Sequence, residues 1–185
     1  IYKEANRLGN LVADIIQLSR LDEQQDAVVS MESVELDELA KDVVNNLRHH
    51  AEKKNISLDY CGIPINIQGV RHVLYEMLYN IADNAVRYTN PGGHIHIYVG
   101  RKGDHPFYRV EDDGIGIPKS EQKRIFERFY RVDKSHSRQT GGTGLGLSIA
   151  RWAAQLHGGT VRVVDDPRGA DFEITLPKYH ISDDE

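Results

Sequence analysis

Glu76-Met-Leu-Tyr-Asn-Ile-Ala-Asp-Asn-Ala-Val-Arg-Tyr88 places two asparagines, Asn80 and Asn84, four residues apart. In a helix that spacing puts them one turn apart on the same face. Plotted from Val70 at about 100° per residue, Val70, Val73, Leu74, Met77, Leu78, Ile81 and Ala85 form one apolar arc. Asn84 falls inside the arc, between Val73 and Met77, and Asn80 sits at its edge. A polar group so placed is costly unless something satisfies it. Two readings are open: an amide bonded to neighbouring backbone, or a pair of amide oxygens facing a hard cation such as Mg²⁺.

Outside this helix the composition is ordinary: 39% apolar and 28% charged residues are enough for a real core. A net charge of −5 gives no sign of general nucleic-acid affinity. The single Cys61 has no internal disulfide partner, which fits a reducing compartment. No run of about 18 apolar residues exists to span a bilayer, and no signal peptide is recognisable. The chain begins at Ile1 in mid-pattern, so the expectation is a piece of something longer.

Residues 1–22 carry a helical stripe of Ile1, Ala5, Leu8, Leu11, Val12, Ile15, Ile16 and Leu18. It is broader than a strict two-stranded seam and suits a helical bundle, with partners from further sequence and a second subunit. Leu21–Ala27 reads as a linker, and Val28–Val34 as a short strand. A second amphipathic helix starts at Leu36-Asp37, with Asp37 as candidate N-cap and Leu39, Ala40, Val43, Val44, Leu47 and Ala51 as its apolar face. His49 and His50 lie at its polar end, with nothing to complete a metal set. Ile56–Tyr60 and Ile63–Ile67 read as extended, and the asparagine helix stops at Thr89-Asn-Pro-Gly-Gly93. His94–Arg101 and Pro106–Glu111 alternate around Lys102-Gly-Asp104, which predicts an antiparallel hairpin with His94 and His96 solvated.

Asp112-Asp-Gly-Ile-Gly-Ile-Pro118 follows that strand directly. Read as an EF-hand loop, it would put Arg109 first and Ser120 last, both wrong for Ca²⁺. A carboxylate at a strand end followed by alternating glycines instead suits close backbone approach to a flat ligand. Asp112 is placed to accept from an amino group such as adenine's. A short helix is expected over Ile125–Arg131, then a polar, basic, mobile loop over Val132–Thr140. Gly141-Gly-Thr-Gly-Leu-Gly-Leu147 runs into a helix, Ser148–His157. Such a junction either attracts phosphate or is simply a flexible glycine loop; it lacks the lysine of a P-loop. Thr160–Val164 and Asp171–Leu176 form a second hairpin, and an acidic tail ends the chain.

Together these blocks resemble the catalytic, ATP-binding domain of bacterial sensor histidine kinases, within the wider group that contains gyrase B, Hsp90 and MutL. Asn80–Tyr88 (NIADNAVRY) resembles the N box, Asp112–Gly116 (DDGIG) the G1 box, Phe126–Phe129 the F box and Gly142–Leu147 (GTGLGL) the G2 box. Their order and spacing carry the signal. The likeness covers roughly residues 33 to 177. Residues 1–22, ending Leu-Ser-Arg-Leu-Asp22, resemble the second helix of that family's dimerisation and phosphotransfer bundle. The acceptor histidine normally lies in a His-Glu/Asp-x-x-x-Pro pattern on the first helix. None of the nine histidines here has that surrounding, so the acceptor is expected outside these residues.

The resemblance implies a Bergerat-type two-layer α/β sandwich, with a mixed sheet and helices on one face. It divides the chain into bundle helix plus linker (1–27), ATP-binding domain (28–179) and tail (180–185). It implies Mg²⁺ on Asn84 with support from Asn80, and phosphate contacts from Arg87 and Arg131. Tyr88, Asp112, Gly114, Gly116 and Ile117 would form the adenine side. Gly142, Gly144, Leu145, Gly146 and Leu147 would form a lid over the phosphates. It also implies a homodimer, a cognate response regulator as partner, and a cytoplasmic domain of a membrane-anchored protein.

Two positions depart from the family's habit. Asp113 stands where Asn is common, and Ala170 where Thr or Ser often provides a water-mediated adenine contact. A third point separates the chain from the ATPase relatives, which carry Glu one turn before the Mg²⁺-binding Asn. Here that position is Asn80, and an amide is no general base for water. The expectation is transfer to an imidazole rather than hydrolysis.

Overall fold

Alternating burial along His94–Lys102 and His105–Asp112, with Ala170–Thr175 buried on both faces, builds the sheet against which the helices pack. The computed structural model describes residues 30–132 and 142–178, with Gly9, Val12 and Ser19, which are helical. In chain order the elements are β1 (Glu32–Glu35), α1 (Leu36–Lys53), β2 (Ser57–Gly62), β3 (Asn66–Gly69), α2 (Arg71–Tyr88), β4 (His94–Lys102) and β5 (His105–Asp112). After a 3₁₀ turn, Arg124–Phe126, come α3 (Gly146–Leu156), β6 (Thr160–Val163) and β7 (Ala170–Thr175).

The main sheet runs β2-β4-β5-β7-β6, with β2 and β4 parallel and the other neighbours antiparallel. β1 pairs separately with β3. Strand residues alternate between faces. Ile95, Ile97, Val110, Phe172 and Ile174 join the buried faces of α1, α2 and α3 in one core. The buried Tyr108 hydroxyl donates to the Leu78 carbonyl of α2 at 3.2 Å. On the other face Asp171 and Glu173 are buried beneath cations: Arg109 pairs with Asp171 at 2.5 Å, and Arg162 with Glu173 at 2.7 Å, joined by Lys102. His94 and His96 are exposed, as the alternation implies.

Two local expectations are corrected. Asp37 is not the N-cap: α1 starts at Leu36, after Glu35. Asp37 instead lies buried in the first turn, accepts from the Tyr60 hydroxyl and pairs with Lys41 at 2.7 Å. The helix expected over Ile125–Arg131 shrinks to a single 3₁₀ turn, because Glu127 is extended and Phe129 takes φ +63°. Ile125 and Phe126 still reach the core, Phe126 edge-on to Phe172 at 6.2 Å.

The apolar stripe of residues 1–22, apart from Val12, lies outside the described residues, as do the loop 133–141 and the tail 179–185. Among the described residues no helix is long and apolar enough to cross a membrane.

Candidate functional site

The site is built around α2. Its C-terminal carbonyls lack helical partners, and Lys54 supplies one cation for three of them. Its ammonium donates to the carbonyls of Val86 (2.6 Å), Arg87 (3.0 Å) and Thr89 (3.0 Å). Burial, with Arg87 nearby, holds this ammonium below its usual pKa. α2 thereby ends at a fixed point beside the end of β5.

At that point sits Asp112, the last residue of β5 and only 6% exposed. Its Oδ1 accepts from the Gly114 N–H at 2.9 Å and the Ala170 N–H at 3.3 Å. Its Oδ2 is buried and has no hydrogen-bond partner. Burial pushes the carboxyl up to about 6 against the pull of those two N–H bonds. A buried acceptor left open in this way costs free energy until a donor arrives.

The walls are backbone. A methyl group on Gly114 would overlap the Tyr88 carbonyl oxygen, and one on Gly169 would overlap that of Asp112. The end of α2, the turn after β5 and the turn before β7 therefore meet with no room for a Cβ. Gly169→Ala should force the β6–β7 turn away from Asp112, break the Ala170 N–H bond and remove adenosine binding. Calorimetry with adenosine checks this, and unchanged affinity would contradict it.

Asp113, beside this pocket, turns elsewhere. Its carboxylate accepts from the His94 N–H (2.8 Å) and contacts the His94 ring at 3.0 Å, and these bonds hold its pKa below the usual range. Ala170 contributes its backbone N–H rather than a hydroxyl. Gly116 takes φ +71°, while Ile117 is half-buried against the core. Tyr88 is half-buried, and its carbonyl accepts from Ile115 at 3.4 Å.

The two asparagines, both half-buried, divide the two readings between them. Asn80 donates from Nδ2 to the Glu76 carbonyl at 2.9 Å, and its Oδ1 faces Gly146, where an added Cβ would lie 2.9 Å away. Asn84 makes no side-chain hydrogen bond among the described residues, so its amide is left for a ligand. A hard cation prefers such an oxygen.

Cations gather around Gly142. The guanidinium groups of Arg87 and Arg131 each come within 3.6–3.9 Å of where a Gly142 Cβ would sit, and Arg131 donates to the Gly142 carbonyl. Arg87 is braced by Asp83 at 2.6 Å. Gly144 takes φ +80°, and its carbonyl accepts from the Phe129 N–H at 3.0 Å. α3 then begins with no side-chain cap, so the N–H groups of its first turn and its dipole favour an anion.

Leu145 is placed differently from the lid role expected of it. Its side chain is fully buried with Ile149 and Trp152 and anchors the start of α3, which leaves only its backbone for a ligand. Leu147 is half-buried against the main core. The structure thus brings Tyr88, Asp112 and Gly114 together, Asn80 with Gly146, and Arg87 and Arg131 with Gly142. Sequence reasoning missed Lys54 and Gly169. Gly169 had a signal, since it closes the turn Asp165–Gly169, whereas a lone lysine after a helix has none.

Residues 69–180 match the histidine kinase-, DNA gyrase B- and HSP90-like ATPase family. The sensor-like histidine kinase SenX3 of Mycobacterium tuberculosis is 38% identical over 190 residues, which cover 98% of this chain and 45% of the relative. Among solved structures, the mycobacterial sensor histidine kinase MprB superimposes with TM-score 0.70 at 28% identity, over 80% of this chain and 97% of that one. Full-length ShkA in complex with AMPPNP gives 0.78 at 28% identity, over 95% of this chain and 37% of that one. The chain belongs to the histidine kinase-, DNA gyrase B- and HSP90-like ATPase family. Its likenesses within that family are to sensor histidine kinases, and its matched residues are an ATP-binding domain of that kind. The chain spans less than half the length of the SenX3 relatives.

Proposed function

We propose that this chain transfers the γ-phosphoryl group of ATP to a histidine imidazole on a bundle helix, as the catalytic domain of a sensor histidine kinase. The observation that carries the reading is the buried Asp112 oxygen without a donor beside the end of α2, with Asn84, one turn back, making no side-chain hydrogen bond among the described residues.

Asp112 accepts from the adenine amino group, with Tyr88, Gly114, Gly116 and Ile117 around the ring. The phosphates run toward Arg87 and Arg131, under the backbone of Gly142, Gly144, Leu145, Gly146 and Leu147. The amide oxygen of Asn84 suits Mg²⁺, which when bound neutralises charge on phosphate oxygens. Loose phosphoryl-transfer transition states ask the protein mainly for positioning and charge stabilisation, and no residue in this set need be a covalent nucleophile. Asn80 offers no base for water, and its amide is committed to the Glu76 carbonyl and the contact with Gly146.

In the larger assembly, residues 1–27 serve as bundle helix and linker to a homodimer, and 28–179 as the ATP-binding domain. Residues 180–185 form a tail. A response regulator takes the phosphoryl group from the histidine. The domain works on the cytoplasmic side of a membrane-anchored protein.

The test incubates the 185-residue chain with labelled ATP and Mg²⁺, alone and with a bundle helix bearing His-Glu/Asp-x-x-x-Pro. Label should appear on that histidine and not on this chain. ATP binding without transfer to any such partner, or steady phosphate release that vanishes in Asn80→Ala, would overturn the kinase reading in favour of a scaffold or a hydrolase respectively.

A further inference from the structure

We infer that His157 is a positioning residue that sets the axial register of α3 on α2, and through it the height of the α3 N-terminus over the phosphate end of the site. The inference rests on the nucleotide reading above. His157 caps α3 and is buried. Its Nε2 accepts from the backbone N–H of Val70, the N-cap residue of α2, at 3.0 Å. Its Nδ1 lies 2.7 Å from the Ala153 carbonyl. A backbone N–H only donates and a carbonyl only accepts, so the ring is neutral, with its proton on Nδ1.

The two helices therefore run antiparallel, and α3 is tied to α2 at both of its own ends. At one end Gly146 sits against Asn80; at the other, His157 holds Val70. Val70 to Asn80 spans about 15 Å and Gly146 to His157 about 16.5 Å at the helical rise. The close Asn80–Gly146 contact and the imidazole bond thus belong to a single register. Between them α3 buries Ala150, Ala153 and Ala154, small side chains that allow close approach but define register weakly. A slip of one residue would move Gly146 by about 1.5 Å relative to Asn80.

The imidazole is held by its hydrogen bonds as much as by packing. One side touches Gly69, where an added Cβ would come 2.9 Å from the ring. Another side lines a cavity of about 280 Å³ with Met31, Ile67 and Leu176. None of the described residues lining this cavity belongs to the groups placed at the nucleotide site, so the effect on the site is transmitted along α3.

Two substitutions remove the same bond from opposite sides. His157→Phe keeps a ring but no acceptor. Val70→Pro removes the donor at a residue whose φ of −92° lies near proline's range. His157→Gln restores an acceptor near the Nε2 position. Calorimetry on the 185-residue chain compares ATP–Mg²⁺ with adenosine, which Asp112 holds without the phosphates. Phe and Pro should each weaken ATP–Mg²⁺ by about tenfold while leaving adenosine unchanged, and Gln should recover most of the loss. Equal losses for both ligands, or no loss in a folded Phe or Pro variant, would overturn the positioning role. Wild-type protein that binds neither ligand would overturn the nucleotide reading itself, and the clamp with it.

Discussion

Asn84→Ala stops phosphoryl transfer to a histidine-bearing helix but leaves ADP bound. The two asparagines are in unequal states. Asn80 is already bonded to its own helix, so Ala there removes a local tie. Among the described residues Asn84 has no side-chain hydrogen bond to lose, so the folded domain tolerates Ala with little change in stability. What is lost is an oxygen ligand for the cation that neutralises charge as the phosphoryl group moves. Removing one preorganised group of this kind typically costs about 10²–10³ in rate. ADP keeps its adenine contact to Asp112, a different side chain at the end of β5. Transfer assays with labelled ATP, beside calorimetry with ADP, separate the two effects. Equal loss of transfer and ADP affinity would mean that Asn84 does not divide the work with Asp112 in this way.

The parts legible in the sequence share one property: they depend on residues close together along the chain. The 3.6-residue arc of α2 put Asn80 and Asn84 on one half-buried face. The alternation of His94 and His96 with Ile95 and Ile97 put the histidines outside, and the acidic glycine turn put Asp112 at a strand end. What stayed hidden depends on distant partners. The buried Asp37 looks like a cap until Tyr60, 23 residues on, is seen to donate to it. Lys54 becomes a helix cap only because α2 ends beside it, 32 to 35 residues later. Leu145 looks like part of a glycine lid, yet Ile149 and Trp152 bury it. The helix expected after Pro118 failed on backbone conformation: Phe129 at φ +63° is a state that side-chain periodicity does not report. The parallel pairing of β2 with β4, across α2, is likewise a long-range fact of the sheet.

Asp112→Asn should weaken adenosine binding by about 1–3 kcal/mol, the cost of disturbing a buried charged hydrogen bond, and should make that binding insensitive to pH. In the wild type, Oδ1 is occupied by two N–H groups, so a proton on this carboxyl must go to Oδ2. Oδ2 is then a donor facing the amino group it should accept from. With the free carboxyl at about 6, adenosine affinity should be full near pH 8 and should fall as pH drops through 6. Asn fixes the same mismatch permanently, because its Oδ1 keeps the two N–H bonds and its NH₂ occupies the open position. The stability of the free domain moves the other way. The folded pKa lies above the ordinary carboxyl value of 3.8. The native state therefore holds the proton more tightly, and its advantage is full below 3.8 and lost as pH rises through 6. A rise of about two pKa units corresponds to roughly 3 kcal/mol given up at neutral pH. A neutral amide escapes the charge penalty, so nucleotide-free Asp112→Asn should melt higher than wild type at pH 7.5, by a few °C, with the gap closing toward pH 4. Calorimetry with adenosine from pH 5 to 8 and melting curves without ligand provide the two readings. A wild-type affinity flat across that range, or a variant that melts lower at neutral pH, would show that Asp112 is not the buried carboxylate with one open oxygen on which adenine recognition here depends.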